Sequence, residues 1–135
     1  MSLPLQGRVA FVNAGTGDAE LLTIRAQRKL LEADVIVHDR FVAPAILEVA
    51  RRDAVRIPVT ALSFNGVADL LLREAEAGRR VVRLRSGDAI VEELTAVAAE
   101  GIPVETIAGI SAEPARIVTF PIREDIREAI LRAAS

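Results

Sequence analysis

Short apolar runs alternate with segments of helical periodicity along most of this chain. Five runs predict strands, at residues 9–12, 35–37, 54–59, 79–84 and 104–107. Between them, apolar side chains recur every three or four positions, which predicts helices over residues 23–32, 44–50, 66–77 and 90–98, and a closing helix over 122–133. Strands that alternate with helices favour an α/β fold, a five-stranded and mostly parallel sheet with helices on both faces. We therefore expect one domain over residues 1–135.

Glycine-containing turns follow three of the predicted strands. Residues 13–18 read N-A-G-T-G-D, residues 86–88 read S-G-D, and residues 108–112 read A-G-I-S-A. In open parallel sheets, ligands bind beyond the carboxyl ends of the strands. These turns, together with Asp39 after the second strand, are therefore expected to lie along one shared rim.

Composition excludes several classes of function. The chain has no cysteine and one histidine, His38, so neither a thiolate metal site nor a histidine cluster is possible, and no metal is expected. A net charge of −2 and an aromatic content of 3%, all phenylalanine, disfavour a nucleic-acid partner. Neither a signal peptide nor an apolar run long enough for a membrane span is present, so the cytoplasm is the expected location.

Taken one at a time, the polar residues at the strand ends leave several interpretations open. Gly15, Gly17 and Asp39 are compatible with a generic nucleotide-binding turn, or with an ordinary tight turn and a helix cap. The carboxylate of Asp88 can accept hydrogen bonds from a ribose or from neighbouring backbone amides. Ser111 is typical of a helix cap. Because no G-x-S-x-G sequence is present, a serine hydrolase is not supported.

Arginines occupy four positions in and around the fourth strand. They are Arg79, Arg80, Arg83 and Arg85. Such a run is most often a solvated rim, and a polycarboxylate ligand is the alternative that would make use of it.

The turns, taken in order, resemble those of a known family, the tetrapyrrole methylases. Residues 13–23, N-A-G-T-G-D-A-E-L-L-T, resemble the family's G-A-G-P-G-D-P-E-L-L-T. Residues 33–42, A-D-V-I-V-H-D-R-F-V, are similar to A-D-V-V-x-Y-D-R-L-V, and residues 81–88, V-V-R-L-R-S-G-D, to V-V-R-L-K-G-G-D. Residues 99–112 resemble A-x-G-I-P-x-E-V-V-P-G-I-T-S-A. The likeness spans nearly the whole chain and is strongest to the uroporphyrinogen-III C-methyltransferase branch, which serves sirohaem and cobalamin synthesis.

This resemblance implies a function and a set of site residues. The family binds S-adenosylmethionine between two α/β domains and transfers its methyl group to a ring carbon of the tetrapyrrole, without a metal. This chain is similar to the first of those domains, so the second is expected to be absent. Asp39 is implied as the catalytic residue, and the cofactor-binding positions carried over are Thr16, Ser86, Gly87, Asp88, Val91, Ser111 and Ala112.

The chain also departs from the family pattern. Asn13 and Ser86 replace glycines, Thr16 and Ala89 replace prolines, and the loop after residue 88 is shortened to residues 89–91. We therefore expect little activity from the isolated chain unless a dimer or a complementary methylase domain completes the cleft. The alternative is a non-catalytic domain that binds an adenosyl ligand or a tetrapyrrole, or that assembles with a complete methylase. Self-association, as a homodimer, is expected in either case.

Overall fold

A computed structural model describes residues 7–59, 64–110 and 132. In chain order these residues form β1 (Arg8–Asn13), α1 (Ile24–Glu32), β2 (Val35–Asp39), α2 (Pro44–Leu47), β3 (Val55–Val59), α3 (Phe64–Glu76), β4 (Arg80–Arg85), α4 (Val91–Ala99) and β5 (Val104–Ile107). All five predicted strands are present to within two residues at each end. The predicted second helix is shorter than expected, because it ends at Leu47 and not at residue 50. Apart from Arg132, the predicted closing helix lies outside the described residues.

The five strands form one sheet in the order β3-β2-β4-β1-β5. Every pairing in the described part of the chain is parallel, so the expectation of a mostly parallel sheet is confirmed in a stricter form. β4 lies between β1 and β2, with Val9 of β1 and Val35 of β2 both opposite Val81. The first two strands of the chain are therefore not neighbours in the sheet.

Helices cover both faces of the sheet, as predicted. Alternate residues of β1 point in opposite directions, so that Ala10 and Val12 pack in one cluster with α1 and α2. Val9 and Phe11 pack in a second cluster with α3 and α4. The aliphatic core is thus divided into two layers by the sheet, which explains why the strands are apolar on both faces.

The helices begin and end at the residues that local chemistry favours. The Thr23 side chain accepts a hydrogen bond from the backbone amide of Ala26, 3.1 Å away, and caps α1. Asp18 caps the short 3₁₀ turn Ala19–Leu21 in the same way. Gly78, just after α3, has a φ of 88°, a left-handed conformation that glycine adopts without strain. Within the described ranges, no helix is long and apolar enough to cross a membrane.

The strand order opens a crevice at one edge of the sheet. The chain leaves β1 and β2 towards α1 and α2 on one face, but it leaves β4 towards α4 on the other face. Where connections of neighbouring strands diverge in this way, a gap forms beyond the strand ends, and open α/β sheets bind ligands there. The turn after β4 is therefore placed between those after β1 and β2.

Candidate functional site

The turns after β1 and β4 are joined by the side chain of Asn13. Its Oδ1 accepts a hydrogen bond of 2.8 Å from the backbone amide of Gly15. Its Nδ2 donates a longer bond, 3.5 Å, to the Oδ1 of Asp88. The asparagine that stands where the family pattern has a glycine thus holds its own turn and contacts the next one.

The turn after β1 also packs tightly against the segment that follows β5. Gly15 has a φ of 68°, and a Cβ added there would lie 2.5 Å from the carbonyl oxygen of Ile110. A Cβ added to Gly109 would collide with the backbone oxygen of Asn13. Both glycines are therefore required by close approach of two backbones, which brings the carboxyl ends of β1 and β5 together.

Thr16 lies at the exposed tip of the first turn. Its Oγ1 accepts a hydrogen bond of 3.1 Å from the backbone amide of Asp18. This bond closes the turn in the manner of serine and threonine turns, at the position where the family pattern has a proline.

Asp39 and Asp88 are linked across the crevice by Arg85. The Nε of Arg85 donates to the Oδ2 of Asp39 at 2.8 Å, and its Nη1 donates to the backbone oxygen of Asp88 at 2.5 Å. The Oδ1 of Asp39 is paired with the Nη2 of Arg83, also at 2.8 Å. Each oxygen of the Asp39 carboxylate therefore faces one guanidinium, which fixes the orientation of the group.

Arg83 is buried, so the expectation that the arginine run forms a solvated rim is wrong for this residue. Its side chain is 2% exposed, as is that of Glu93 in α4, and the Nε of Arg83 donates to the Oε1 of Glu93 at 2.8 Å. Arg83 is the residue of β4 that points towards α4, because it has the same parity as buried Val81. An arginine there needs a buried carboxylate as partner, and Glu93 provides it.

Glu93 is a site residue that the sequence interpretation missed. Two consecutive glutamates at the start of a helix are typical of a solvated first turn, which complements the helix dipole. The available signal was helical spacing, because Glu93 lies four residues before the buried Val97 and therefore on the same face of α4.

A cavity of about 320 Å³ lies beyond the ends of β1 and β5, next to the turn after β4. Its lining combines apolar and polar side chains, namely Phe11, Asn13, Asp88, Ala89, Thr106, Ile107 and Ala108. This volume is near the lower end for small-molecule sites, which are mostly apolar with a few placed polar groups. The cavity is therefore suited to part of a ligand, with one carboxylate available at its edge.

The remaining predicted site residues are only partly covered by the structure. Ser86 is exposed in the turn after β4, Gly87 follows it, and Val91, the first residue of α4, is 70% exposed. Ser111 and Ala112 lie outside the described residues. Over residues 7–59 and 64–110, no group of histidine, cysteine, aspartate and glutamate side chains is arranged to hold a metal ion.

Most of the chain matches the sequence profile of a known protein family. The sequence profile of the Tetrapyrrole (Corrin/Porphyrin) Methylases matches residues 8–117. The chain belongs to this family. Among tetrapyrrole methylases of similar sequence, a siroheme synthase of Nitrosospira multiformis is 43% identical over 120 residues, 81% of this chain and 25% of its own length. A siroheme synthase of Azotobacter vinelandii is 46% identical over 117 residues, 78% of this chain and 25% of its own length.

Solved structures of tetrapyrrole methylases have the same fold. The uroporphyrin-III-C-methyltransferase of Thermus thermophilus superposes with a TM-score of 0.72 and 35% identity, covering 79% of this chain and 49% of that one. A structure of the Thermus enzyme complexed with S-adenyl homocysteine gives a TM-score of 0.68 and 40% identity, covering 78% and 46%. This chain therefore spans about a quarter of the length of the siroheme synthases and about half that of the Thermus enzyme.

Proposed function

We propose that this chain forms one wall of the S-adenosylmethionine site of a uroporphyrinogen-III C-methyltransferase acting in sirohaem synthesis. Siroheme synthases of two bacteria are 43% and 46% identical to it. The Thermus uroporphyrin-III C-methyltransferase, 40% identical, has been solved in complex with S-adenyl homocysteine. These likenesses support the reaction class and the methyl donor. The crevice beyond the strand ends supports the position that we propose for the donor.

The observation that carries the proposal is the cavity beside Asp88 at the point where the connections diverge. Phe11 and Ile107 give it an apolar surface, while Asn13 and Asp88 supply polar atoms at one side. An adenosyl group has the matching chemistry, because its base is flat and apolar on its faces and its ribose hydroxyls donate hydrogen bonds to a carboxylate. The residues that line the cavity therefore fit the adenosyl group of S-adenosylmethionine.

The other cofactor-binding positions surround this crevice in our proposal. Thr16 and Asp88 follow neighbouring strands of the sheet, and Ser86 and Gly87 belong to the same turn as Asp88. An added Cβ at Gly87 would meet nothing within 4 Å, so a ligand can approach this part of the backbone. Val91, Ser111 and Ala112 complete the proposed set.

When bound, S-adenosylmethionine supplies an electrophilic methyl group on a positively charged sulfur. The protein must hold donor and acceptor carbon in line and keep water away. In this scheme Asp39 is the catalytic residue. Two of its four lone-pair sites are taken by Arg83 and Arg85, and the others remain able to accept a proton or a hydrogen bond from the tetrapyrrole.

Calorimetry with S-adenosylhomocysteine tests the donor site directly. We expect saturable binding by the wild-type chain, and a loss of about tenfold in affinity for Asp88→Ala, since one charge-assisted hydrogen bond is worth about 1.4 kcal/mol or more. Asp69→Ala is the matched control, because Asp69 is an exposed aspartate in α3. Equal affinities for the two variants would remove Asp88 from the site, and no binding by the wild-type chain would contradict the proposed donor.

A second candidate function is a non-catalytic binding or assembly domain. Large apolar side chains are exposed where β2, β4 and β5 end: Phe41 is 86% exposed, Val91 70% and Ile110 47%. Large apolar side chains exposed at one edge of a sheet are typical of surfaces that another protein covers. A second copy of this chain, or a complementary methylase domain, is the proposed partner.

The two candidates differ in measurable ways. If catalysis requires a covered crevice, methylation of uroporphyrinogen III by the chain alone is weak and rises when the partner is added, because an open site admits water. An assembly domain instead shows no response to S-adenosylhomocysteine and forms a dimer or a mixed complex in sedimentation velocity. A monomer that methylates rapidly would contradict the need for a partner.

A further inference from the structure

The ion pair of Arg83 and Glu93 is enclosed in the core between β4 and α4. Both side chains are 2% exposed. Removing two charges from water is costly, and a buried pair of this kind can often be replaced by apolar residues without loss of stability. Stability alone therefore does not explain why charged groups occupy these two positions.

The contacts of Arg83 extend from the core to the crevice. Its Nε and Nη2 donate to the two carboxylate oxygens of Glu93, at 2.8 and 3.4 Å. The same Nη2 lies 2.8 Å from the Oδ1 of Asp39. Its Nη1 lies 3.4 Å from the backbone oxygens of Val37 and Leu84. The planar guanidinium is thus held from several sides, with Glu93 on the side of the core and Asp39 on the side of the crevice.

We infer that Glu93 is a positioning residue, which fixes Arg83 so that Arg83 and Arg85 together fix the Asp39 carboxylate at the crevice. A guanidinium presents its donors in a rigid plane, so fixing one edge on Glu93 sets the direction of the donor that reaches Asp39. The effect on methyl transfer rests on the function proposed for Asp39. The coupling between Glu93 and Asp39 stands on the described contacts alone.

A purely structural role for Glu93 is the competing explanation. An acidic side chain in the first turn of α4 also interacts favourably with the helix dipole. Glu92 occupies the same turn but is exposed, so it shares the dipole interaction and lacks the contact with Arg83. Glu92→Gln is therefore the matched control for Glu93→Gln.

Two kinds of variant separate positioning from stability. Glu93→Gln keeps the shape of the side chain and an oxygen that can accept from Arg83, but removes its charge. Arg83→Met combined with Glu93→Leu replaces the buried pair by apolar groups of similar volume, which usually preserves the fold. In that double variant, the Asp39 carboxylate loses its contact with Arg83 and keeps the contact with Arg85.

The exchange rate of the Arg85 Nε proton with water reports the coupling. This proton is donated to Asp39 at 2.8 Å, and Arg85 has no described contact with Glu93. At 14.5 kDa the chain is suited to ¹H–¹⁵N spectra of arginine side chains. We expect this exchange to accelerate at least about fivefold in Glu93→Gln and in the double variant, because members of one ion-pair network are energetically coupled. Glu92→Gln should leave it within about twofold of the wild-type rate.

The results decide between the two explanations. Unchanged exchange at Arg85 in both Glu93 variants, with or without a loss of stability, would overturn the positioning role. In a methyl-transfer assay, positioning predicts a kcat about tenfold lower with an unchanged KM for S-adenosylmethionine, since only the orientation of Asp39 is altered. Absence of turnover in the wild-type chain would count against the proposed function, and the exchange rates would still decide the positioning.

Discussion

Replacing Gly15 by alanine tests the close contact between the turns after β1 and β5. The substitution forces an alanine into a φ of 68°, a left-handed conformation that costs about 1 kcal/mol for a residue with a Cβ. The new Cβ would also lie 2.5 Å from the carbonyl oxygen of Ile110, well inside van der Waals contact. Overpacking against backbone, which cannot rotate away, typically costs about 1–3 kcal/mol more. We therefore expect Gly15→Ala to lower the free energy of unfolding by about 3 kcal/mol.

Substitutions at two other glycines separate the cost of the left-handed conformation from the cost of overpacking. Gly101 has a φ of 78°, but an added Cβ there meets nothing within 4 Å, so Gly101→Ala should cost only the conformational part, about 1 kcal/mol. Gly87 has neither a left-handed φ nor a neighbour within 4 Å of an added Cβ. Gly87→Ala should therefore be neutral, or stabilising by a few tenths of a kcal/mol, because it reduces the freedom of the unfolded chain.

Urea unfolding followed by far-UV circular dichroism measures these differences. The chain has no tryptophan and no tyrosine, so intrinsic fluorescence is not a useful probe. If the slope of the unfolding free energy against urea concentration is the same for all variants, differences in the urea midpoint convert directly to differences in the free energy of unfolding. If Gly15→Ala and Gly101→Ala unfold within about 0.5 kcal/mol of each other, the proposed backbone contact between the two turns does not exist in solution.

Three further changes test other parts of the fold. Asp34 accepts hydrogen bonds from the backbone amide of Arg80 and from guanidiniums, and these hold its pKa below the ordinary value of 3.8. Its contribution is therefore present above that value and is lost as the pH falls through the lower folded-state pKa. In urea unfolding, Asp34→Asn should cost about 1 kcal/mol at pH 7 and progressively less as the pH falls below 3.8. The guanidinium of Arg56 donates to three backbone carbonyls between the end of α2 and the start of β3, so Arg56→Met should lower the thermal midpoint by several degrees, while Arg52→Met, at an exposed position, should not. Thr23→Ala removes the cap of α1 and should cost about 1 kcal/mol in the same urea assay, and a loss below about 0.3 kcal/mol would show that the cap is not formed.

Local features of this fold were predictable because they depend on neighbours in the sequence. The cap at Thr23 and the left-handed conformation of Gly78 are each decided within one helical turn. The five strands and the two covered faces follow from apolar runs that alternate with helical periodicity. The turn residues after β1 and β4 were also predicted to lie on one rim, and the bond from Asn13 to Asp88 joins them.

Features that depend on strand order were not predictable from one sequence. All five strands carry apolar residues, so nothing in the pattern indicates that β4 lies between β1 and β2. That insertion brings Arg83 and Arg85 beside Asp39, which lies 44 and 46 positions earlier in the chain, and turns part of an arginine run into a buried network. Helical spacing puts Glu93 on the same face of α4 as Val97, but its role as the partner of Arg83 follows only once Arg83 is known to face α4.

The departures from the family pattern in the turns do not by themselves remove the proposed donor site. Proline and glycine preset a turn through their backbones, whereas here side-chain hydrogen bonds hold the same turns. Asn13 binds the amide of Gly15, and Thr16 binds the amide of Asp18. Such bonds hold the turn with less rigidity than a proline ring, so the expected consequence is a weaker donor site and not a misplaced one. Whether methyl transfer occurs then depends on what covers the crevice opposite Asp39, because proximity and exclusion of water need both sides of the site.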